Sequence, residues 1–287
     1  MSEPAGVAGG FSRFRIDLAY DGTDFAGWAK QPGLRTVQGE LLSALEQIFG
    51  TDDSDFGMRV AGRTDAGVHA DHQVCHVDLS PAQLSRLGRS SFSAKRLNGL
   101  LAEDVRVLGV AVAPAGFDAR FSATGRSYRY QIADDKVAPD PKLSRYVLMQ
   151  QGELDLADMN KAAKLLIGLR DFGAFCRPRE GATTIRELRN LELARDKDEV
   201  ISVFLEADAF CHNMVRALVG GLIAVGLGKL TPDELLAIQL QAKRVSKFKV
   251  VDPRGLSLSG ISYPSDDKLS LQAEKARNKR DAGEISV

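Results

Sequence analysis

The sequence is poor in residues that would mark out several large classes of protein. It holds three cysteines, one tryptophan and four histidines, and its 38 basic residues are matched by 38 acidic ones. Cys75, Cys176 and Cys211 are odd in number and far apart, so neither a disulfide framework nor a metal-type pairing is expected, which fits a reducing cytoplasm. No long apolar run is present. The longest, residues 217–227, is glycine-rich and too short to cross a bilayer, and reads as a buried helix. The first twelve residues lack the apolar centre of a signal peptide. Zero net charge removes the simplest argument for a polyanion partner, a uniformly basic chain, so any nucleic-acid face must come from local charge. What is present is ordinary for a globular protein: 44% hydrophobic and 26% charged residues over a length of 287, enough for two domains or one large one.

Hydrophobic periodicity then orders the chain. Residues 14–20 alternate and read as a strand. Thr36 is a candidate N-cap for a helix whose apolar face is Val37, Leu41, Leu42, Leu45, Ile48 and Phe49. Strands follow around residues 60–61 and 73–77, a second helix at 93–101 and a fourth strand at 105–112. That order, β-α-β-β-α-β, is the ferredoxin-like unit. A similar order recurs: strand 127–132, helix 156–169, strands 186–194 and 200–207, helix 214–227, a helix capped by Thr231 with Pro232 in its first turn, and strand 256–263. The expected class is α+β, with two ferredoxin-like halves whose sheets could lie side by side around a cleft. The expected divisions are a flexible start at 1–12, an N-terminal half at 13–115, a C-terminal half at 116–264 and a mobile polar tail at 265–287.

Residues 60–70 hold a short polar knot, Arg63-Thr64-Asp65, between Gly62 and Gly67. Both glycines can take positive φ and turn the chain sharply, and a polar loop held between strands is a common place for catalysis. On composition alone, a turn closed by a buried Arg63–Asp65 ion pair is the favoured reading. Three basic clusters stand out. Residues 117–130 interleave Arg120, Arg126 and Arg129 with Phe117, Phe121, Tyr128 and Tyr130. Arg170, Arg177, Arg179, Arg186 and Arg189 form the second, and Lys243, Arg244, Lys247, Lys249 and Arg254 the third. Arginine with aromatics binds phosphates and stacks on unpaired bases. A solvated face is the plainer reading of any one cluster, but three clusters at neutral total charge favour one basic face on an otherwise acidic body. His69, His72 and His76 lie close to Cys75. In a strand His72 and His76 share one face and Cys75 takes the other, so no convergent ligand set forms and packing is expected rather than a metal.

Residues 62–69, Gly-Arg-Thr-Asp-Ala-Gly-Val-His, resemble the catalytic motif of the tRNA pseudouridine synthase A family. The resemblance continues in residues 21–28 with Val37-Gln38, in 119–123 and 126–130, in 209–216, and in Gly255-Leu256 and Tyr263-Pro264. The matches are collinear over nearly the whole folded chain. The resemblance implies a pseudouridine synthase fold with a central cleft, a homodimer, no cofactor, and a tRNA substrate modified on the 3′ side of its anticodon stem-loop. It implies Asp65 as the catalytic carboxylate, Arg216 as the guanidinium that keeps Asp65 ionised, Tyr128 as the ring stacked on the uracil and Arg63 as the side chain filling the gap left by a flipped base. The basic clusters, with Arg120, Phe121, Arg177, Arg179, Lys243 and Arg244, are then the candidates for tRNA contact. Two departures from the family pattern are the bulky residues 248–254 before Gly255 and Asn213 where a histidine is frequent. The rival readings are a non-catalytic RNA-binding module and a synthase acting on other uridines.

Overall fold

A strand that buries every second side chain from Ile16 to Tyr20 runs through the first of two units. The computed structural model describes residues 6–7, 10–50, 56–138, 140–179, 182–278 and 282–285. Contacts divide the chain into one unit of Met1–Thr124 with Leu258–Asn278, and another of Gly125–Ser257 with Lys279–Val287.

In the first unit β1 (Gly6–Val7) pairs with the start of β2 (Phe11–Tyr20), so regular structure begins inside the segment expected to be flexible. Ile16, Leu18 and Tyr20 of β2 are buried, and the alternate positions carry Arg13, Arg15 and Asp17 on the other face. Helix α1 (Val37–Phe49) opens where expected, with the Thr36 hydroxyl accepting the Gly39 N–H at 3.2 Å. It buries Val37, Leu41, Leu42, Leu45, Ile48 and Phe49, and each of the larger side chains contributes about 1.5–3 kcal/mol by leaving water. The unit continues through β3 (Arg59–Val60), β4 (His69–Leu79), the short helices α2 (Pro81–Ser85) and α3 (Ala94–Asn98), and β5 (Val105–Val112). The strands lie in the order β5-β2-β4-β3, all antiparallel, which is the ferredoxin-like order.

The second unit contains β6 (Gly125–Ala133), β7 (Leu148–Met149), α4 (Leu156–Leu166), β8 (Gly168–Asp171), β9 (Ile185–Arg195), β10 (Ile201–Ala207), α5 (Met214–Gly226) and α6 (Pro232–Leu240). The order β6-β10-β9-β8 is antiparallel, and β7 pairs with β6 in parallel. Helix α4 stops earlier than its apolar spacing suggested. Ile167 turns to extended backbone, and the next four residues pair with β9 instead. Every residue of α5 except Arg216 is buried, the mark of a central helix. Helix α6 starts with the anticipated Thr231 cap, completed by Glu234 into a reciprocal capping box and stabilised by about 1 kcal/mol.

Strand β11 (Leu256–Ser262) starts in the second unit and enters the first, where it lies beside β4. The segment after it was expected to be a mobile tail. It instead forms α7 (Leu269–Lys275), with Leu269 and Ala273 buried. Leu269 and Ala273 lie one helical turn apart on the buried side of the helix, and Leu269 joins Ala61, Val74, Ala113, Phe117 and Ala119 in one cluster. Among the described residues no helix is long and apolar enough to cross a membrane.

Candidate active site

The polar knot is the loop between β3 and β4, and backbone bonds hold it at each end. The Ala61 N–H donates to the Val74 carbonyl at 2.8 Å, and the Val68 N–H to the Asp65 carbonyl at 3.2 Å. Gly67 takes the positive φ expected of it, at 75°. Gly62 does not, so the sharp turn lies only after Asp65. Residues 25–28 clamp the loop from outside: the Trp28 N–H donates to the Thr64 carbonyl at 3.0 Å and the Gly67 N–H to the Phe25 carbonyl at 3.3 Å. Gly27 permits this approach, since a Cβ there would stand 2.9 Å from the Thr64 carbonyl oxygen. Phe25 and Trp28 are themselves buried, so the clamp is part of the core.

Within the loop Thr64 is buried, Asp65 is half-buried and Arg63 is exposed. The exposure of Arg63 corrects the reading from composition, a turn closed by a buried Arg63–Asp65 pair. Polar side chains that the sequence reading passed over lie behind the loop. The Tyr20 and Thr64 hydroxyls are 2.7 Å apart, and the Gln73 amide donates to the Gly62 carbonyl at 2.8 Å and to the Tyr20 oxygen at 3.3 Å. Burial pushes the Tyr20 phenol up to about 12, so it keeps its proton. One sequence signal could have found Gln73. It occupies an inward position of β4 in step with Cys75, Val77 and Leu79, all fully buried, and a lone amide in that row needs partners.

The three clustered histidines go to separate duties. His69 Nδ1 accepts the Gly22 N–H at 3.0 Å and lies 3.1 Å from an Asp21 oxygen, while His72 Nε2 is 2.7 Å from an Asp17 oxygen. His76 is fully buried and its Nδ1 accepts the Ala119 N–H at 3.0 Å. Burial, helped by the nearby Arg13 cation, lowers its pKa to about 4. Among the described residues no His, Cys, Asp or Glu group is disposed to hold a metal ion.

His76 thereby anchors the turn that carries Arg120 and Phe121. Asp118 accepts the Arg120 and Phe121 N–H groups at 2.9 Å each, and the Tyr263 hydroxyl donates to the Ala119 carbonyl at 2.7 Å. Two guanidinium groups lie over the Phe121 ring, Arg120 at 5.2 Å and Arg277 at 5.1 Å from its centroid.

Tyr128 and Arg216 belong to the second unit. Tyr128 sits on β6, 9% exposed, with the Phe210 ring edge-on at 5.2 Å. Arg216 donates from Nε to the Val251 carbonyl at 2.7 Å. Asn213, just before α5, has left-handed backbone with φ of 68°, a conformation that asparagine tolerates better than most residues. The bulky segment before Gly255 also has its place: Phe248 stacks on Phe175 at 5.5 Å, and Lys249 packs its carbonyl against Gly220 of α5.

The same packing brings two basic loops to neighbouring anchors. Gly173 abuts the Ala242 carbonyl, so the loop of Arg177 and Arg179 and the loop of Lys243 and Arg244 leave from adjacent backbone. All four side chains are exposed. Other members of these clusters are neutralised locally, Arg189 by Glu187 and Arg254 by Asp252. Cys176 and Cys211 form a disulfide, with Cα atoms 5.7 Å apart, which corrects the expectation that the cysteines stand alone. It fastens the base of the Arg177 loop to the approach to α5, where the Arg177 N–H also donates to the His212 carbonyl at 2.9 Å.

A family model described as tRNA pseudouridine synthase matches residues 162–264. Over 275 residues the chain is 49% identical to a tRNA pseudouridine synthase A of Streptomyces avermitilis, covering 96% of each chain. It is 47% identical over 281 residues to one from Leifsonia xyli, covering 94% of this chain and 98% of the relative. A Mycobacterium leprae protein of the same description is 46% identical over 277 residues, covering 93% and 95%.

Proposed function

The chain belongs to the tRNA pseudouridine synthase A family, and from that premise we propose that Asp65 is the carboxylate with which it isomerises uridine in tRNA. The isomerisation breaks the bond between C1′ and N1 and forms one between C1′ and C5. A proton leaves C5 and N1 takes one up. Nothing is oxidised or added, so the protein's task is to hold the base out of its stack, supply an ionised carboxylate and manage one proton. The observation that carries the assignment is the Asp65 loop itself. A carboxylate stands half-buried on a turn held to the core through Gly62 and Thr64 before it and through Gly67 after it, an arrangement suited to a reacting group.

In this reading Arg63, exposed beside Asp65, fills the space a flipped uridine leaves. Tyr128 stacks on the uracil, and Arg216 is the cation that favours the ionised form of Asp65. Arg120 and Phe121 contribute a stacking surface, and Arg177, Arg179, Lys243 and Arg244 follow tRNA phosphates. The target is the 3′ side of the anticodon stem-loop and the working form a homodimer. Pseudouridine maps of tRNA from cells with and without the gene test the assignment. Sites on the 3′ side of the anticodon arm should revert to uridine when the gene is absent. Reversion confined to other uridines would redirect the specificity, and no reversion would remove the activity.

A further inference from the structure

Gln73, Tyr20 and Thr64 are buried side chains that make a single chain of hydrogen bonds. The Gly62 carbonyl can only accept, so the Gln73 atom 2.8 Å from it is the amide nitrogen. The Gln73 oxygen is thereby turned to the Val74 N–H, at 3.1 Å. The second amide hydrogen goes to the Tyr20 oxygen at 3.3 Å. Burial keeps the Tyr20 phenol protonated, and its hydroxyl is hydrogen-bonded to the Thr64 hydroxyl at 2.7 Å, a bond in which either group can donate. The chain grips the loop at two points. Gly62 immediately precedes Arg63, and Thr64 immediately precedes Asp65. Exposures of 0% for Gln73, 5% for Tyr20 and 7% for Thr64 keep water from competing for these bonds.

We infer that Gln73, Tyr20 and Thr64 are positioning residues that set the placement of Arg63 and Asp65 for the reaction, acting through the loop backbone without touching substrate. This rests on the reading of Asp65 as the catalytic carboxylate. A purely structural role would cost stability and leave the rate of folded enzyme unchanged. A positioning role costs rate, because a displacement of an ångström at a reacting group costs on the order of a hundredfold.

The test uses the full-length protein and transcribed tRNA, with Tyr20→Phe, Thr64→Val, the double variant and Thr64→Ser. Single-turnover rate at saturating tRNA, tRNA affinity and thermal midpoint are measured for each. Tyr20→Phe and Thr64→Val should each lose about tenfold to a hundredfold in rate, with affinity within about twofold of the parent. The double variant should be no more than about threefold slower than the slower single, because both changes remove one interaction. Thr64→Ser, which keeps the hydroxyl, should restore most of the rate. Unchanged rates in the folded single variants, losses that multiply in the double, or a defect confined to affinity would each overturn the inference. If Tyr20→Phe does not fold, the contrast between Thr64→Val and Thr64→Ser decides alone. The parent enzyme and Asp65→Asn run alongside. An inactive parent, or a fully active Asp65→Asn, refutes the underlying reading, whereas loss in Asp65→Asn with unaffected Tyr20 and Thr64 variants refutes the positioning role only.

Discussion

The loop that carries Arg63 and Asp65 and the loops that carry Arg177, Arg179, Lys243 and Arg244 are all polar turns between regular elements, and they are built in opposite ways. In the first, a buried tyrosine, a buried amide and a clamp of buried aromatics fix the backbone on each side of Asp65. In the others the backbone is anchored at its base, by the Cys176–Cys211 bond and by Gly173 against Ala242, and the charged tips are exposed. A reacting carboxylate gains from being held in one place, since misplacement is costly. A phosphate contact gains from reach and charge, since its free energy comes largely from released counterions and tolerates slack. The two constructions therefore predict two kinds of defect, one in rate and one in affinity.

The sharpest separation comes from Asp65→Asn. Removing the carboxylate while keeping its shape should abolish pseudouridine formation, a loss on the order of a thousandfold or more, equivalent to about 4 kcal/mol at the transition state. Binding of tRNA, measured by filter retention at the same salt, should stay near the parent value. A variant that turns over at the parent rate would take Asp65 out of the chemistry.

Arg63→Ala tests whether the whole loop works on rate. Arg63 is exposed like the arginines of the second unit's loop but sits on the tethered turn. It should retain most of the affinity and lose about tenfold to a hundredfold in single-turnover rate, as expected of a residue that holds a flipped state. A defect confined to affinity would make Arg63 another phosphate contact and collapse the contrast between the loops.

On the other side, replacing both Arg177 and Arg179 with alanine should weaken tRNA binding and flatten its salt dependence by about one unit of log–log slope per residue. Single-turnover rate at saturating tRNA should barely move. An unchanged slope would remove this cluster from the path of the tRNA.

How much of this could be read from sequence depends on the range of the forces involved. Strand β5 and the Thr36 and Thr231 caps were legible because alternation and capping are local, and the ferredoxin-like order followed from them. Helix α2 was not anticipated, although Ser80, Pro81 and Gln83 signal it locally. The end of α4 was misplaced because apolar spacing continues through Ile167 and Leu169, and only pairing with β9 decides that they leave the helix. The Cys176–Cys211 bond joins residues 35 apart, and nothing local specifies it. The site divides in the same way. Asp65 and Arg63, the residues proposed for the chemistry, lie in one contiguous motif. The bond from Gln73 to Tyr20 spans 53 positions and exists because the register of β2 on β4 sets Leu18 opposite Gln73.

The smallest expected effect concerns the scaffold behind the tethered loop. His76 is buried on β4, holds the Ala119 N–H and has its pKa lowered to about 4 by burial and by Arg13, with Asp118 and Asp78 opposing and Arg59 adding to the lowering. In the unfolded chain the same imidazole should titrate near about 6.5. Its folded pKa is depressed, so between those values the unfolded state binds the proton and the native state does not. Stability is therefore fully present above about 6.5 and falls as the pH drops toward about 4. Thermal midpoints measured at intervals across this window should decline in the parent and decline less steeply in His76→Asn, whose side-chain oxygen can still accept the Ala119 N–H. The variant should be less stable near neutrality, because asparagine leaves part of the imidazole's volume empty, so the diagnostic is the slope and not the midpoint itself. Parallel slopes in the two proteins would mean that His76 takes up its proton in the folded state as readily as in the unfolded one, and the acid sensitivity would then have to come from other groups.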